Sequence, residues 1–195
     1  MVMSPIDGST VKDATLTIVK TGGLQAALDA KQGLLAYAPV NPTRQILAGG
    51  LATGGGDLTG DRTLTVPKAL GIDVINGADD TKALTTKAIV DSCAESPLTD
   101  AATITPDFTV ATNFTVTLAG NRILTNPAAV VVGKSGRIRV VQDATGARTL
   151  AYGTFYKWPA GTVPMLSTTG TREDYLYYDI VSSSKILLAL NKDFR

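Results

Sequence analysis

Hydrophobic and polar positions change rhythm along the chain. In "DATLTIVK", Ala14, Leu16 and Ile18 alternate with Thr15, Thr17 and Val19. That period of two predicts a strand with one apolar face. In "GGLQAALDAKQGLLAYAP" the rhythm becomes helical: Leu24, Leu28 and Leu35 share a stripe, with Lys31 completing a 4-3-4 spacing. This is a short heptad-like seam with a polar break, weakened by Gly33. A helix of this length needs a partner face, supplied either by the same segment of neighbouring subunits or by the rest of the chain. Two prolines close it, and Gly49-Gly50 and Gly54-Gly55-Gly56 are expected to break any regular element beyond it. "DRTLTVP" reads as a short strand ended by Pro67. A second helix is predicted from about Thr85, with Leu84, Ala88 and Ile89 apolar and Lys82, Lys87 and Asp91 solvated, stopped by Pro97.

From Thr103 the period of two dominates. Phe114, Val116 and Leu118 alternate with Thr115 and Thr117; Ile138 and Val140 alternate with Arg137 and Arg139; "DYLYYDIVSSSKILLALN" reads as two strands about the turn "SSSK". Turn signals every 8–12 residues or so are those of a β-sandwich or small barrel. The expected fold class is therefore mainly β. An elongated N-terminal attachment or oligomerisation region with short helices and strands, residues 1–97, precedes a C-terminal antiparallel β-sandwich or small barrel, residues 98–195. The pattern Gly-x-Arg-(Thr/Ile)-Leu occurs at Gly60–Leu64, Gly120–Leu124 and Gly146–Leu150. Glycine tolerates positive φ, so each copy reads as a turn whose next strand starts at the arginine. The flanking sequences share too little for a strict solenoid repeat.

Composition narrows the function. The chain has 195 residues, is 44% hydrophobic and carries a formal net charge of +1. Residues before Pro97 sum to −2 and those from Leu98 to +3. No strong field attracts nucleic acid. Histidine is absent, which removes the commonest general base and metal ligand. The single cysteine, Cys93, reads as a small packed hydrophobe rather than a nucleophile. No apolar run reaches the length of a membrane span and no secretory signal opens the chain, so a soluble protein made in a reducing cytoplasm is expected.

Candidate chemistry is sparse. "GKSGR" at Gly133–Arg137 resembles the tail of a P-loop, but Ala128 stands where the leading glycine belongs and a strand follows. Asp79-Asp80 and Glu173-Asp174 read as solvated turn carboxylates. "DLTGD" at Asp57–Asp61 lacks the oxygen density of a calcium loop. Asn113-Phe114-Thr115 is a glycosylation sequon only in a secretory pathway. No catalytic residue, cofactor or metal is expected, and the chain reads as a non-enzyme. The feature with a binding flavour is aromatic: Tyr152, Phe155, Tyr156 and Trp158 in "YGTFYKWP", and Tyr175, Tyr177 and Tyr178 in "DYLYY". Such rings suit protein interfaces or sugar faces. Alternation places Tyr152, Tyr156 and Trp158 on one side and Phe155 on the other, and at least half of the set is expected to be core.

Three stretches carry a family resemblance. "LQAALDAKQGLL" resembles the "ALDAKQG" segments of tailed-bacteriophage fibre proteins. "AGGLATGGGDLTGDRTLTV" resembles their glycine-rich "GGLTGGGDLS-DRTL" stretches. "TPDFTVATNFTVTLAGNRILTNP" with "GRIRVVQDATGARTLAYGTFYKWPAGTVPMLSTT" is similar to a terminal β-domain of phage and prophage structural proteins. The resemblance implies a trimeric, non-enzymatic virion protein, attached by its N-terminal part to other virion proteins and exposing a β-rich head, with a host cell-surface glycan or protein as its candidate partner. A tail fibre is the first expectation and a capsid decoration or head fibre the alternative; a polysaccharide depolymerase ranks last. The candidate oligomerisation seam is Leu24, Leu28 and Leu35. Three chains together bury surface that one glycine- and threonine-rich segment does not.

Overall fold

The computed structural model describes residues 24–34, 41 and 43–195. The strand expected at 14–19 and Leu35 of the seam lie outside them. The described residues fall into two compact units, one of residues up to 48 together with 54–64, the other of 49–53 and 65–195.

Helix α1 (Leu24–Leu34) carries Leu24 and Leu28 exposed. Three short strands, β1 (Gln45–Leu47), β2 (Thr53–Asp57) and β3 (Leu64–Thr65), form a sheet in that order. The glycine run does not break structure as the sequence suggests; Gly54, Gly55 and Gly56 form most of β2, with φ of 97°, 96° and 129°. L-residues rarely adopt such angles. A Cβ at Gly54 would overlap the Thr63 carbonyl oxygen, and one at Gly55 the Ile46 carbonyl oxygen. Glycine here permits close backbone approach within a ladder in which Gly55 faces Leu47 and Gly56 faces Ile46.

Helices α2 (Gly71–Asn76) and α3 (Thr86–Ser92) follow. The sequence reading anticipates α3 and misses α2, which is too short to show a period. The Leu70 N–H donates to the Asp73 carboxylate at 2.7 Å, and Gly77 closes α2 at φ 61°. Thr85 caps α3 by accepting from the Ala88 N–H at 3.2 Å. The helix ends at Cys93, ahead of Pro97.

Beyond α3 the chain winds between two sheets. Strands β4 (Glu95–Pro97), β6 (Asn113–Leu118) and β8 (Ser135–Gln142) pair in parallel in one sheet; β5 (Thr103–Ile104), β7 (Arg122–Leu124) and β9 (Leu150–Tyr152) pair in parallel in the other. Successive strands alternate between sheets, so the chain makes three coils. Then β10 (Tyr156–Lys157), β11 (Glu173–Ser182) and β12 (Lys185–Phe194) complete a six-stranded sheet in the order β10-β12-β11-β8-β6-β4. The two long strands form a hairpin, with Ser182 facing Lys185. The main sheet is thus mixed and the smaller one parallel, where an antiparallel arrangement was expected. Period-two alternation identifies strands but not their direction, and the connections between parallel neighbours are long crossovers rather than hairpin turns. The β4 strand pairs Glu95 with Asn113 and ends at Pro97, just before Leu98, where the sequence reading opens its second domain. Pro97 has no N–H to offer, which suits the outer strand it occupies.

One hydrophobic cluster draws on both sheets, from Ile104, Leu124 and Leu150 on the smaller to Phe114, Ile138, Leu176, Ile180 and Ile186 on the larger. Strand β11 alternates strictly, with Asp174, Leu176, Tyr178 and Ile180 inward. The recurrent Gly-x-Arg pattern also gains a cause. Each arginine clasps an aspartate: Arg62 with Asp57, Arg148 with Asp143 at 2.8 Å, Arg122 with Asp100 at 2.6 Å. Two copies belong to a longer local form, Asp-x-Thr-Gly-x-Arg, at 57–62 and 143–148. In the third copy the aspartate comes from 22 residues upstream.

Candidate contact surface

The aromatic set divides according to strand parity. Tyr156, Trp158 and Tyr178 are buried in the core, which corrects their assignment as contact residues. Tyr152 packs edge-on to Trp158 at 5.0 Å and to Tyr156 at 6.2 Å, so the three do share a side, and that side is inward. The reason is energetic: rings of this size on the inward parity supply the apolar area that a two-sheet core needs. Burial pushes the phenols of Tyr152, Tyr156 and Tyr178 well above the usual tyrosine range. The Tyr156 hydroxyl donates to the Thr125 carbonyl at 3.0 Å and that of Tyr178 to the Thr112 carbonyl. Gly136 makes the latter possible, because a Cβ there would lie 2.6 Å from the Tyr178 hydroxyl and would overlap the Thr112 carbonyl oxygen. The Tyr152 Oη and Trp158 Nε1 are buried without a partner among the described residues. Phe155 is half-buried.

Tyr175 and Tyr177 take the opposite parity and stand on the outer face of the six-stranded sheet. Their rings stack at 6.4 Å, and Phe194 meets Tyr175 edge-on at 5.0 Å. The neighbouring outward positions of β8 are Arg137 and Arg139. The Arg137 guanidinium lies 5.7 Å from the Tyr175 ring centre. Arg139 bridges Glu95 at 2.9 Å and Glu173 at 3.2 Å. Partial burial, then the Glu173 charge, raises the Tyr175 phenol. Beside this cluster an open groove of about 560 Å³ runs across β8, β11 and β12, with Tyr177, Leu187 and Ala189 apolar and Ser135, Asp179 and Arg137 polar. Tyrosine, arginine and exposed aliphatic groups on a rigid sheet are the composition of protein contact surfaces. Sequence alternation places Arg137 and Arg139 on one face, but not Glu95, which reaches them across β6 through two successive parallel pairings, from 42 to 44 residues away.

The remaining candidates have structural partners. Glu173-Asp174 is not a turn. Both residues lie in β11, and the buried Asp174 accepts from the Ser167 N–H and hydroxyl, each at 2.6 Å, and from the Asp193 N–H at 2.9 Å. Asp79 accepts from Thr81 and pairs with Lys82 at 2.9 Å. The Lys134 ammonium of "GKSGR" donates to the carbonyls of Phe108 and Ala111, and burial lowers its pKa. Asn113 is buried, donating to the Cys93 carbonyl at 2.7 Å, so its sequon is not displayed on the folded chain. Cys93 is exposed rather than packed. Of the helical seam, Leu24 and Leu28 present their side chains to solvent on α1. Among the described residues no helix is long and apolar enough to cross a membrane, and no group of three or more Cys, Asp or Glu side chains is placed to hold a metal ion. No family model, curated protein or solved structure matches the chain.

Proposed function

We propose that the chain is a structural subunit of a bacteriophage virion appendage, a trimeric tail fibre protein. The residues before Glu95 attach it to other virion proteins and hold the copies together. From Glu95 onward the chain is a two-sheet sandwich whose outer face, at Tyr175 and Tyr177, meets the host surface. The sequence resemblance motivates the family. The observation that carries self-association is the fate of apolar side chains in the front part. Among the described residues up to 92, twelve large hydrophobics are exposed, and only Ile75 and Ala88 are buried. Neighbouring copies offer these side chains an interior that the described residues of one chain do not supply. The reading assigns no catalysis, in keeping with a sequence without histidine and with Asp73, Asp79, Asp143 and Asp174 tied into local hydrogen bonds.

Sedimentation of the full chain tests the assembly. A mass of three chains is expected, and single chains at every concentration would overturn it. Antibody labelling of intact particles tests the location, with label expected on the tail. Label on the head would replace the tail fibre by a capsid decoration.

A further inference from the structure

We infer that the groove across β8, β11 and β12 is a binding site for an uncharged sugar, seated against Tyr177 and hydrogen-bonded by Asp179 and Arg137. This rests on the host-contact reading above and names the chemistry of what that face receives. The site is built by strand parity. Tyr177 and Asp179 are successive outward residues of β11, and Leu187 and Ala189 of β12. The register sets Tyr177 between Arg137 and Ala189, and Asp179 between Ser135 and Leu187. Two rows of three residues thus frame the groove, and its volume of about 560 Å³ is that of a small-molecule site. Tyr175 stacks on Tyr177 but takes no part in the lining, so Tyr177 turns its other side to the groove.

The polar groups of the two rows keep hydrogen-bonding capacity. Ser135 donates to Oδ1 of Asp179 at 2.9 Å, and Oδ2 accepts from no donor among the described residues. Arg137 donates from Nη2 to Glu95 at 3.4 Å, and its Nη1 has no partner among the described residues. An acceptor in one row and a donor in the next match neighbouring hydroxyls, each of which gives one hydrogen bond and takes another. The Tyr177 ring and Leu187 match the C–H face of the same sugar ring, which is apolar and edged with polar groups. Charge excludes acidic sugars and phosphates as the preferred ligand. The lining holds one cation, Arg137, and one anion, Asp179, so an anionic ligand loses to the second what it gains from the first. A peptide strand is disfavoured for another reason. β8 is paired to β6 and β11, and β11 to β8 and β12, so these two strands present no open edge to extend.

The full chain is tested on an array of bacterial oligosaccharides, with neutral hexose and deoxyhexose oligomers beside uronate- and phosphate-bearing ones. Binding to a neutral oligomer is expected, and it should change little between about 50 and about 500 mM sodium chloride. Tyr177→Ala and Asp179→Asn should each weaken it roughly tenfold or more, whereas Tyr177→Phe keeps the ring and should stay within about threefold of wild type. Unchanged melting of Asp179→Asn separates lost contact from misfolding. Binding to no neutral oligomer, binding confined to acidic ones, or wild-type binding by both Tyr177→Ala and Asp179→Asn would each overturn the site. Adsorption of the labelled chain to bacteria that protease abolishes and periodate spares would identify a protein partner; that would overturn the sugar and leave the host-contact reading standing. Label on the head of the virion would overturn the tail fibre reading, while neutral-sugar binding on the array would still uphold the site.

Discussion

The residues up to 92 and those from 95 onward draw on the same vocabulary of threonine, glycine, leucine and valine, yet they place their apolar side chains differently. Eighteen hydrophobic residues of the β-rich part form one buried cluster, while the described residues of the front part bury Ile75 and Ala88. Each fully buried aliphatic or aromatic side chain is worth about 1.5–3 kcal/mol. The β-rich part therefore has a core of its own, whereas the described residues of the front part are braced locally by caps, an Asp–Arg clasp and a glycine ladder. The difference follows from strand connectivity rather than hydrophobicity. A strand with neighbours on both edges and a second sheet across its face buries every alternate residue; strands of two to five residues do not.

The contrast can be broken most forcefully in the core. Phe114→Ala should cost about 4 kcal/mol in chemical denaturation, since Phe114 is fully enclosed and touches Phe108 edge-on at 5.6 Å. Gly136→Ala comes next, at about 2 kcal/mol, because the new methyl meets the Thr112 carbonyl and displaces the Tyr178 hydroxyl; the loss of that tyrosine's near-ultraviolet signal would identify the cause. In the front part the effects shrink. Thr85→Ala removes a helix cap and should cost about 1 kcal/mol, read as faster hydrogen exchange in α3 with the β-sheet amides unchanged.

Acid should act more weakly still. The Asp57 carboxyl is held low chiefly by the Thr59 hydroxyl, and those of Asp100 and Asp143 chiefly by Arg122 and Arg148. A carboxylate depressed in the folded state stabilises above its unfolded pKa, about 4, and that contribution fades as pH falls through the folded value. The melting temperature should be level from pH 7 to about 5 and decline below about 4, with Asp143→Asn reducing the decline. Leu47→Ala, on a side chain that is 81% exposed, should change monomer stability by less than about 0.5 kcal/mol. A large loss there, under monomeric conditions, would erase the contrast between the two parts.

Much of the β-rich part was legible in the sequence because alternation is a one-dimensional signal. Phe114, Val116 and Leu118, or Leu176, Tyr178 and Ile180, declare their parity without reference to any neighbour. Strand direction is not so encoded. Nothing near Glu95 or Asn113 says that the two residues lie side by side in parallel strands, and the coil that follows from that pairing stayed hidden. The glycines of β2 misled for a related reason: the same residue that ends a helix also lets backbones approach closely, and only the facing Ile46 and Thr63 carbonyls decide between the two. The candidate contact surface is half readable. The tyrosines were found, but Tyr175 and Tyr177 separate from Tyr178 only once the inward side of β11 is known, and Glu95 joins Arg137 and Arg139 only through the fold.

The three coils leave one freedom that a hairpin sheet lacks. Glu95 stands beside Asn113 and Asn113 beside Arg137, and the second interval is the longer. In the smaller sheet Thr103 stands beside Ile123 and Ile123 beside Ala151, again with the larger step second. Ladder geometry constrains the rungs and leaves the corners unconstrained, and doubling a loop's length costs only about 0.6 kcal/mol. Insertions at the bends between strands can therefore accumulate while every rung keeps its neighbour. The corners are where descendants of this sequence can diversify, and where a foreign peptide is best grafted.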